Sequence, residues 1–148
     1  MLRKLIPDFL ISRYHWKLSF LGALFYGFPS RKLRVIGVTG TKGKSTVVVL
    51  AGNILAENLT SPQPSPSKGE GEILPNPPLQ KGGSKVGWVS SLTINDGKRE
   101  VMNPYHMTMP GRFFIQKTLR AMVKNGCEYA LIEVTSEGIK QHRHRFIN

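Results

Sequence analysis

The stretch from Arg34 to Thr46, RVIGVTGTKGKST, constrains the fold more than any other part of the chain. β-Forming residues lead into a glycine-rich turn and an apolar run follows at once, which predicts a strand, a phosphate-binding loop and a helix. In such a loop the glycines let backbone N–H groups face an anion, and the helix start adds its positive dipole end. A tight turn of purely structural value is the alternative. The predicted nucleotide-binding residues are Gly40, Thr41, Lys42, Gly43, Lys44, Ser45 and Thr46.

The roles within this loop follow from the side chains. Lys44 is expected to lie on the β- and γ-phosphates, and the hydroxyl of Ser45 or Thr46 is expected to face Mg²⁺. The strict pattern GxxxxGK[ST] is not met, because Val38 stands where it requires glycine. The prediction therefore depends on the strand, turn and helix context.

Length and composition predict one globular domain. The chain has 148 residues, 40% of them hydrophobic and 20% charged, and domains of about 100–150 residues are the commonest. Its single cysteine, Cys127, excludes an internal disulfide and favours a reducing, cytoplasmic location.

The formal charge of +12 is concentrated in two regions. Residues 1–34 carry 7 basic side chains and 1 acidic side chain, and residues 86–127 carry 6 basic and 2 acidic side chains. Nucleic acid, anionic lipid and a polyanionic substrate would all suit a basic surface. RNA recognition would need aromatic residues on a sheet with basic neighbours, a pattern not found here, so no nucleic-acid partner is expected.

Residues 1–30 are apolar and aromatic with interspersed basic residues. Arg13, His15 and Lys17 interrupt the core that a signal peptide needs, and the run from Leu18 to Phe28 holds only 11 residues. A membrane span needs about 20. The segment, taken as residues 1–32, is therefore either helical and packed on the nucleotide domain or a basic amphipathic segment on a membrane surface.

The rest of the chain alternates helix and strand patterns. A helix is expected over residues 46–58, and the proline- and glycine-rich residues 60–83 are expected to form a disordered insertion, with a proline-rich ligand for a partner as the alternative. Strands at 85–89 and 92–94 should lead through a turn into an edge hairpin returning at Val101. The sequence of residues 103–112 predicts a loop that covers a functional site.

Two further elements complete the pattern. A helix is expected from Phe114 to Lys124, with Ile115, Leu119 and Met122 on its apolar face, and a buried strand over residues 129–134.

Glu133 lies near the carboxyl end of that last strand. Opposite a phosphate loop it could reach Mg²⁺ directly or through water, or instead pair with a lysine. His142 and His144 alone make a weak metal site. Arg143 and Arg145 are better suited to bind phosphate or carboxylate.

Three ordered motifs then resemble the Mur ligase family, in particular the central ATP-binding domain of UDP-N-acetylmuramoyl-peptide ligases. VTGTKGKST at 38–46 is similar to the family's VTGTNGKTT, Thr108-Met-Pro110 resembles its TTP, and residues 133–143, EVTSEGIKQHR, are similar to EVSSHGLVQHR. Folylpolyglutamate synthases share the fold but carry GKGS in the loop. The resemblance implies an α/β fold over residues 33–148, a mainly parallel sheet with helices on both faces, and an incomplete central domain.

The resemblance also implies an enzyme, an ATP-dependent ligase of peptidoglycan precursor synthesis. ATP and Mg²⁺ would be its cofactors, and a UDP-N-acetylmuramoyl-peptide and an amino acid its substrates. The substrate carboxylate would become an acyl phosphate, from which the amine of the amino acid displaces phosphate. Lys44 and Glu133 correspond to catalytic residues, and Ser45 and Glu133 to metal ligands. The residues corresponding to substrate contacts are Thr108, Thr135, Gln141 and Arg143.

Departures from the family motifs bear on the substrate contacts. Met109, Thr135 and Glu137 replace Thr, Ser and His. The chain also lacks the uridine-binding domain, the carbamoylated lysine and the C-terminal domain of the family, so we expect a monomeric ligase fragment that binds ATP without catalysing. One alternative is a nucleotide-binding module docked on a membrane through residues 1–30. Another is a kinase or GTPase, which would require a specificity motif such as NKxD that the sequence lacks.

Overall fold

A computed structural model describes residues 8–60, 84–105 and 107–147. The predicted insertion at 60–83 lies outside these residues, except for Thr60 at the end of a helix. The elements in chain order are α1 (Asp8–Phe25), a short 3-10 helix (Pro29–Lys32), β1 (Arg34–Val38), α2 (Lys44–Thr60), β2 (Val86–Val89), β3 (Thr93–Asn95), β4 (Glu100–Met102), α3 (Arg112–Lys124), β5 (Tyr129–Glu133) and α4 (Ser136–Lys140).

The strands form a five-stranded sheet in the order β1-β5-β2-β3-β4. β5 lies between β1 and β2 and runs parallel to both, whereas β3 and β4 continue the sheet in antiparallel fashion. The parallel part of the expected sheet is present in β1, β5 and β2, but the sheet as a whole is mixed. Short turns join β2, β3 and β4, and strands joined by such turns can only pair antiparallel. The predicted hairpin at an edge is confirmed.

Helices cover both faces of this sheet, as expected. The buried residues of β5 alternate between the faces. Ala130 and Ile132 pack with residues of α3 such as Leu119, whereas Leu131 packs on the other face with Val48 of α2 and with Trp88. Each face therefore has its own hydrophobic core.

α2 approaches the sheet very closely at one position. A Cβ built on Gly52 would lie 2.6 Å from the Trp88 ring, so only glycine allows this contact. Trp88 is itself held in place by a hydrogen bond from its Nε1 to Thr93 Oγ1 (3.0 Å).

α1 confirms the predicted N-terminal helix and packs on α3. Gly22 faces Phe113, and the neighbouring Ala23 is fully buried. Ser19 Oγ donates to the carbonyl oxygen of His142 (2.8 Å), which ties α1 to the residues after α4. Among the described residues, no helix is long and apolar enough to cross a membrane.

The boundaries of two predicted helices differ from those observed. α2 begins at Lys44, two residues before its predicted start, so Lys44, Ser45 and Thr46 of the predicted phosphate loop lie in its first turn, and it continues to Thr60. α3 begins at Arg112. The sequence did not predict α4, whose five residues are too few for a periodic pattern.

Candidate functional site

The carboxyl ends of β1 and β5 bring the predicted loop next to the predicted carboxylate. Val38, the last residue of β1, pairs with Glu133, the last residue of β5. Parallel strands end at the same edge of a sheet, and this is where open α/β sheets place their ligands. The loop of residues 39–43 leaves β1 here and leads into Lys44 and Ser45 at the start of α2.

Glu133 is only 3% exposed and is bound by hydroxyl and backbone donors. Ser45 Oγ (2.9 Å) and the backbone N–H of Ser91 (2.7 Å) donate to its Oε2, and Thr108 Oγ1 donates to its Oε1 (3.3 Å). Within the described part of the chain, the ion pair of Lys85 with Glu128 is the only salt bridge. The alternative of a lysine partner for Glu133 is therefore wrong for the described residues.

Ser91 is a member of this site that the sequence analysis missed. Its Oγ lies 2.7 Å from Ser45 Oγ, and its backbone N–H holds Glu133. The sequence signal that could have identified it is the polar pair Ser90-Ser91, which directly follows the buried strand β2. In the sheet, β2 is the neighbour of β5. Ser90 of that pair instead shapes the turn, because its Oγ accepts from the backbone N–H groups of Leu92 and Thr93. Ser45, Ser91, Thr108 and Glu133, with Lys44, are called the Glu133 corner below.

The predicted phosphate loop is closed by its own lysine. Lys44 Nζ donates to the carbonyl oxygen of Gly40 across the loop (2.9 Å). Gly43 has a φ of 75°, a conformation that favours glycine. Of the two hydroxyls that the sequence left open for Mg²⁺, the one beside Glu133 is that of Ser45, whereas Thr46 is exposed. Thr41 and Lys42 are exposed as well.

The remaining predicted substrate residues form a second group, at α4 and after it. Thr135 caps α4, because its Oγ1 accepts the backbone N–H of Gly138 (3.1 Å). Gln141 donates to Glu137 (2.8 Å), and its Oε1 accepts from Nε (3.0 Å) and a terminal nitrogen (2.7 Å) of Arg143. Thr135, Gln141 and Arg143 are called the Arg143 cluster.

Met109 connects this cluster to the Glu133 corner. It is buried, has a φ of 53°, and its carbonyl oxygen accepts a hydrogen bond from Arg143. A Cβ on Gly138 would come within 2.5 Å of its sulfur, so α4 and Arg143 together fix this residue. The preceding residue is Thr108, whose hydroxyl reaches Glu133.

Burial and neighbouring positive charges lower the pKa values of two basic groups near the Arg143 cluster, Arg112 and His144. Burial lowers the pKa of Arg112, and the charge of Arg143 lowers it further. Burial likewise lowers the pKa of His144, with smaller effects from Arg145 and His142. On the other side of the molecule, burial raises the pKa of the Cys127 thiol to about 11, so the group stays protonated at neutral pH.

The donors of the Glu133 corner fit Mg²⁺. A serine hydroxyl and a carboxylate supply oxygen ligands, and Mg²⁺ commonly takes only one or two such protein ligands beside water and phosphate oxygens. No cluster of three or more His, Cys, Asp or Glu side chains suited to a metal occurs among the described residues. A metal at this corner would thus depend on a phosphate ligand as well.

Comparison with known proteins agrees with this geometry. A sequence model of the Mur ligase middle domain matches residues 38–148. The chain is 34% identical over 144 residues to a UDP-N-acetylmuramyl-tripeptide synthetase of Borreliella afzelii, covering 97% of this chain and 23% of that protein. It is 29% identical over 119 residues to a UDP-N-acetylmuramoyl-L-alanyl-D-glutamate--2,6-diaminopimelate ligase of Clostridioides difficile. These residues cover 80% of this chain and 19% of that protein.

A third relative, a UDP-N-acetylmuramyl-tripeptide synthetase of Treponema pallidum, is 32% identical over 128 residues, which cover 86% of this chain and 19% of that protein. The chain thus spans about a quarter or less of the length of these relatives. The chain belongs to the Mur ligase family, whose middle domain accounts for most of its residues.

Proposed function

We propose that this chain binds ATP with Mg²⁺ at the Glu133 corner, as part of an ATP-dependent ligase that joins an amino acid to a UDP-N-acetylmuramoyl-peptide. The observation that carries the proposal is the buried carboxylate of Glu133, which accepts the Ser45 hydroxyl at the end of the phosphate loop and has no cation beside it in the described structure. A buried carboxylate without a basic partner is costly unless it serves a cation or a proton.

The loop and the first turn of α2 would hold the phosphates. Lys44 would exchange the carbonyl oxygen of Gly40 for the β- and γ-phosphates, a short movement for a flexible side chain. The free N–H groups at the start of α2 would add their partial positive charge.

Ser45 and Glu133 would hold the metal ion. When bound, the ion neutralises charge on the phosphate oxygens and keeps the transferred group in line. Ser91 would orient both ligands, because it contacts the Ser45 hydroxyl and the Glu133 carboxylate. Thr108 would keep the other carboxylate oxygen directed toward the loop of residues 107–111.

The same loop and the Arg143 cluster would contact the UDP-muramoyl substrate, through Thr108, Thr135, Gln141 and Arg143. Its carboxylate would take the γ-phosphoryl group of ATP, giving ADP and an acyl phosphate. The amine of the amino acid would then displace phosphate and lose a proton, which leaves an amide. Because the chain spans a quarter of its relatives, we propose this activity for the whole ligase, as a cytoplasmic enzyme, and nucleotide binding for the chain itself, as a monomer.

Calorimetric titration of the 148-residue chain with ATP and Mg²⁺ tests this proposal. Lys44→Ala removes a charged contact with phosphate and should weaken binding about 10- to 100-fold, since a hydrogen bond between charged groups contributes about 1.5–3 kcal/mol. Lys98→Ala is the matched control, because Lys98 is an exposed lysine on the hairpin turn away from the loop. Amide formation from substrate and amino acid is assayed in the same preparations.

The proposal fails if the folded chain does not bind ATP with Mg²⁺, or if both substitutions weaken binding equally. Binding that is lost only in Lys44→Ala, without amide formation by the chain alone, is the expected result.

A further inference from the structure

We propose that the outer face of α1, together with the basic side of α3, docks on the surface of an anionic lipid bilayer. The outer face of α1 is defined by Tyr14, Leu21, Leu24 and Phe25. The basic side of α3 is defined by Lys117, Arg120 and Lys124.

The outer face of α1 is apolar although the helix is already packed. Its four side chains are between 52% (Leu21) and 77% (Phe25) exposed. Ser19 and Ala23, on the opposite side of the same helix, are buried. The inner side of α1 therefore packs on α3, and the outer side forms a second, exposed apolar surface. Contiguous exposed apolar patches of this kind mark interaction sites in soluble proteins.

The adjoining charges are all of one sign. Lys117, Arg120 and Lys124 line a groove of about 540 Å³ together with Leu24 and Phe25 of α1. Arg13 and Lys17 are exposed on α1 itself. From Phe9 to Phe25 and throughout α3 the sequence contains no acidic residue.

Charge complementarity thus requires an anionic partner. It also opposes a second copy of the chain, because a two-fold interface would bring the lysines and arginines of both copies together.

The arrangement favours a bilayer over nucleic acid or an acidic protein. Tyrosine, phenylalanine and leucine along one helix face, with lysine and arginine beside them, suit contact with the interface of a membrane. Tyrosine also prefers the depth of the lipid headgroups. α1 would lie along the bilayer with its outer face against the headgroups. The Glu133 corner lies on other elements, so this proposal is independent of the proposed function.

Cosedimentation of the 148-residue chain with lipid vesicles tests the proposal. Vesicles of phosphatidylglycerol mixed with phosphatidylcholine should bind the chain, phosphatidylcholine alone should bind it much more weakly, and salt should reduce binding. Lys117→Glu with Lys124→Glu should weaken binding at least ~30-fold, because each basic residue near an anionic surface changes affinity about fivefold. Leu21→Gln, Leu24→Gln and Phe25→Gln combined should reduce binding at low and high salt alike.

Lys98→Glu with Lys140→Glu is the matched control. Both lysines are exposed and lie on the hairpin turn and on α4, so the net charge changes equally while the proposed surface stays intact. Circular dichroism and thermal melting verify that every variant is folded. The proposal is overturned if the wild type does not bind anionic vesicles, if the two double variants lose binding equally, or if the chain instead dimerises through α1 without binding vesicles.

Discussion

The Glu133 corner and the Arg143 cluster use their hydrogen bonds differently. In the Glu133 corner, two hydroxyls and one backbone N–H from three separate segments converge on a single carboxylate. In the Arg143 cluster, each side chain is engaged by a neighbour or by the backbone: Thr135 by α4, Gln141 by Glu137 and Arg143, and Arg143 by Met109. The corner is thus organised around one charged group, whereas the cluster is a framework that holds a loop.

This difference has a consequence for the substrate contacts that the family resemblance implies. A residue of the Glu133 corner can bind a metal ion by exchanging a hydroxyl partner. Residues of the Arg143 cluster already make the bonds that fix Met109 and α4, so a substrate would bind to donors that remain, such as the Thr135 O–H. We therefore expect substitutions in the corner to affect nucleotide binding first, and substitutions in the cluster to affect stability first.

The largest expected effect is that of Glu133→Gln on metal-dependent nucleotide binding. The amide keeps the size of the side chain and one acceptor but removes the charge, so binding of ATP with Mg²⁺ should weaken about 10- to 100-fold, whether the carboxylate reaches the ion directly or through water. Titration with ATP in the presence and absence of Mg²⁺ measures this. Loss of binding to the same extent in both conditions would contradict a metal role.

Glu128→Gln is the control for that experiment. Glu128 lies just before β5, at its other end, and carries the same charge in an exposed ion pair with Lys85. Exposed pairs contribute little, so neither nucleotide binding nor stability should change appreciably.

A smaller effect is expected for Arg143→Met. This change removes the hydrogen bonds to Gln141 and to the carbonyl of Met109, whose left-handed conformation is unfavourable for a residue other than glycine. Stability should fall by about 2–3 kcal/mol, since three hydrogen bonds are lost and each contributes about 1 kcal/mol. Urea unfolding measures the loss, and hydrogen exchange should show faster opening at residues 107–111. Arg145→Met, at an exposed arginine two positions away, should be neutral; equal losses in both would show that charge alone is responsible.

The smallest effect is expected for Thr135→Ala, which removes the cap of α4. Such substitutions cost about 1 kcal/mol of stability. Thr135→Ser keeps the hydroxyl and should retain stability. If Thr135 instead serves mainly as a substrate contact, Thr135→Ala will melt like the wild type while binding of the UDP-muramoyl substrate weakens, and the contrast between corner and cluster will be lost at this residue.

Much of the fold could be predicted from the sequence. The apolar face of α3 followed from helical periodicity, whereas the strand expected at residues 129–134 and the strand before the predicted phosphate loop followed from short runs of β-forming residues. α4 could not be predicted, since one turn of helix has no period and depends on its cap. The antiparallel direction of β3 and β4 follows from the short turns, and the predicted edge hairpin already contained it.

The sequence by itself determined the local chemistry of the site: a glycine-rich loop with Lys44 and Ser45 at a helix start, and a carboxylate at the end of a strand. Only the tertiary structure decided which groups meet. The parallel pairing of β1 with β5 places Glu133 beside Ser45, although 88 residues separate them, and brings in Ser91 and Thr108 from two other segments. The order of strands in the sheet determines which of these residues meet. This order is a long-range property, and the spacing of residues along the chain does not reveal it.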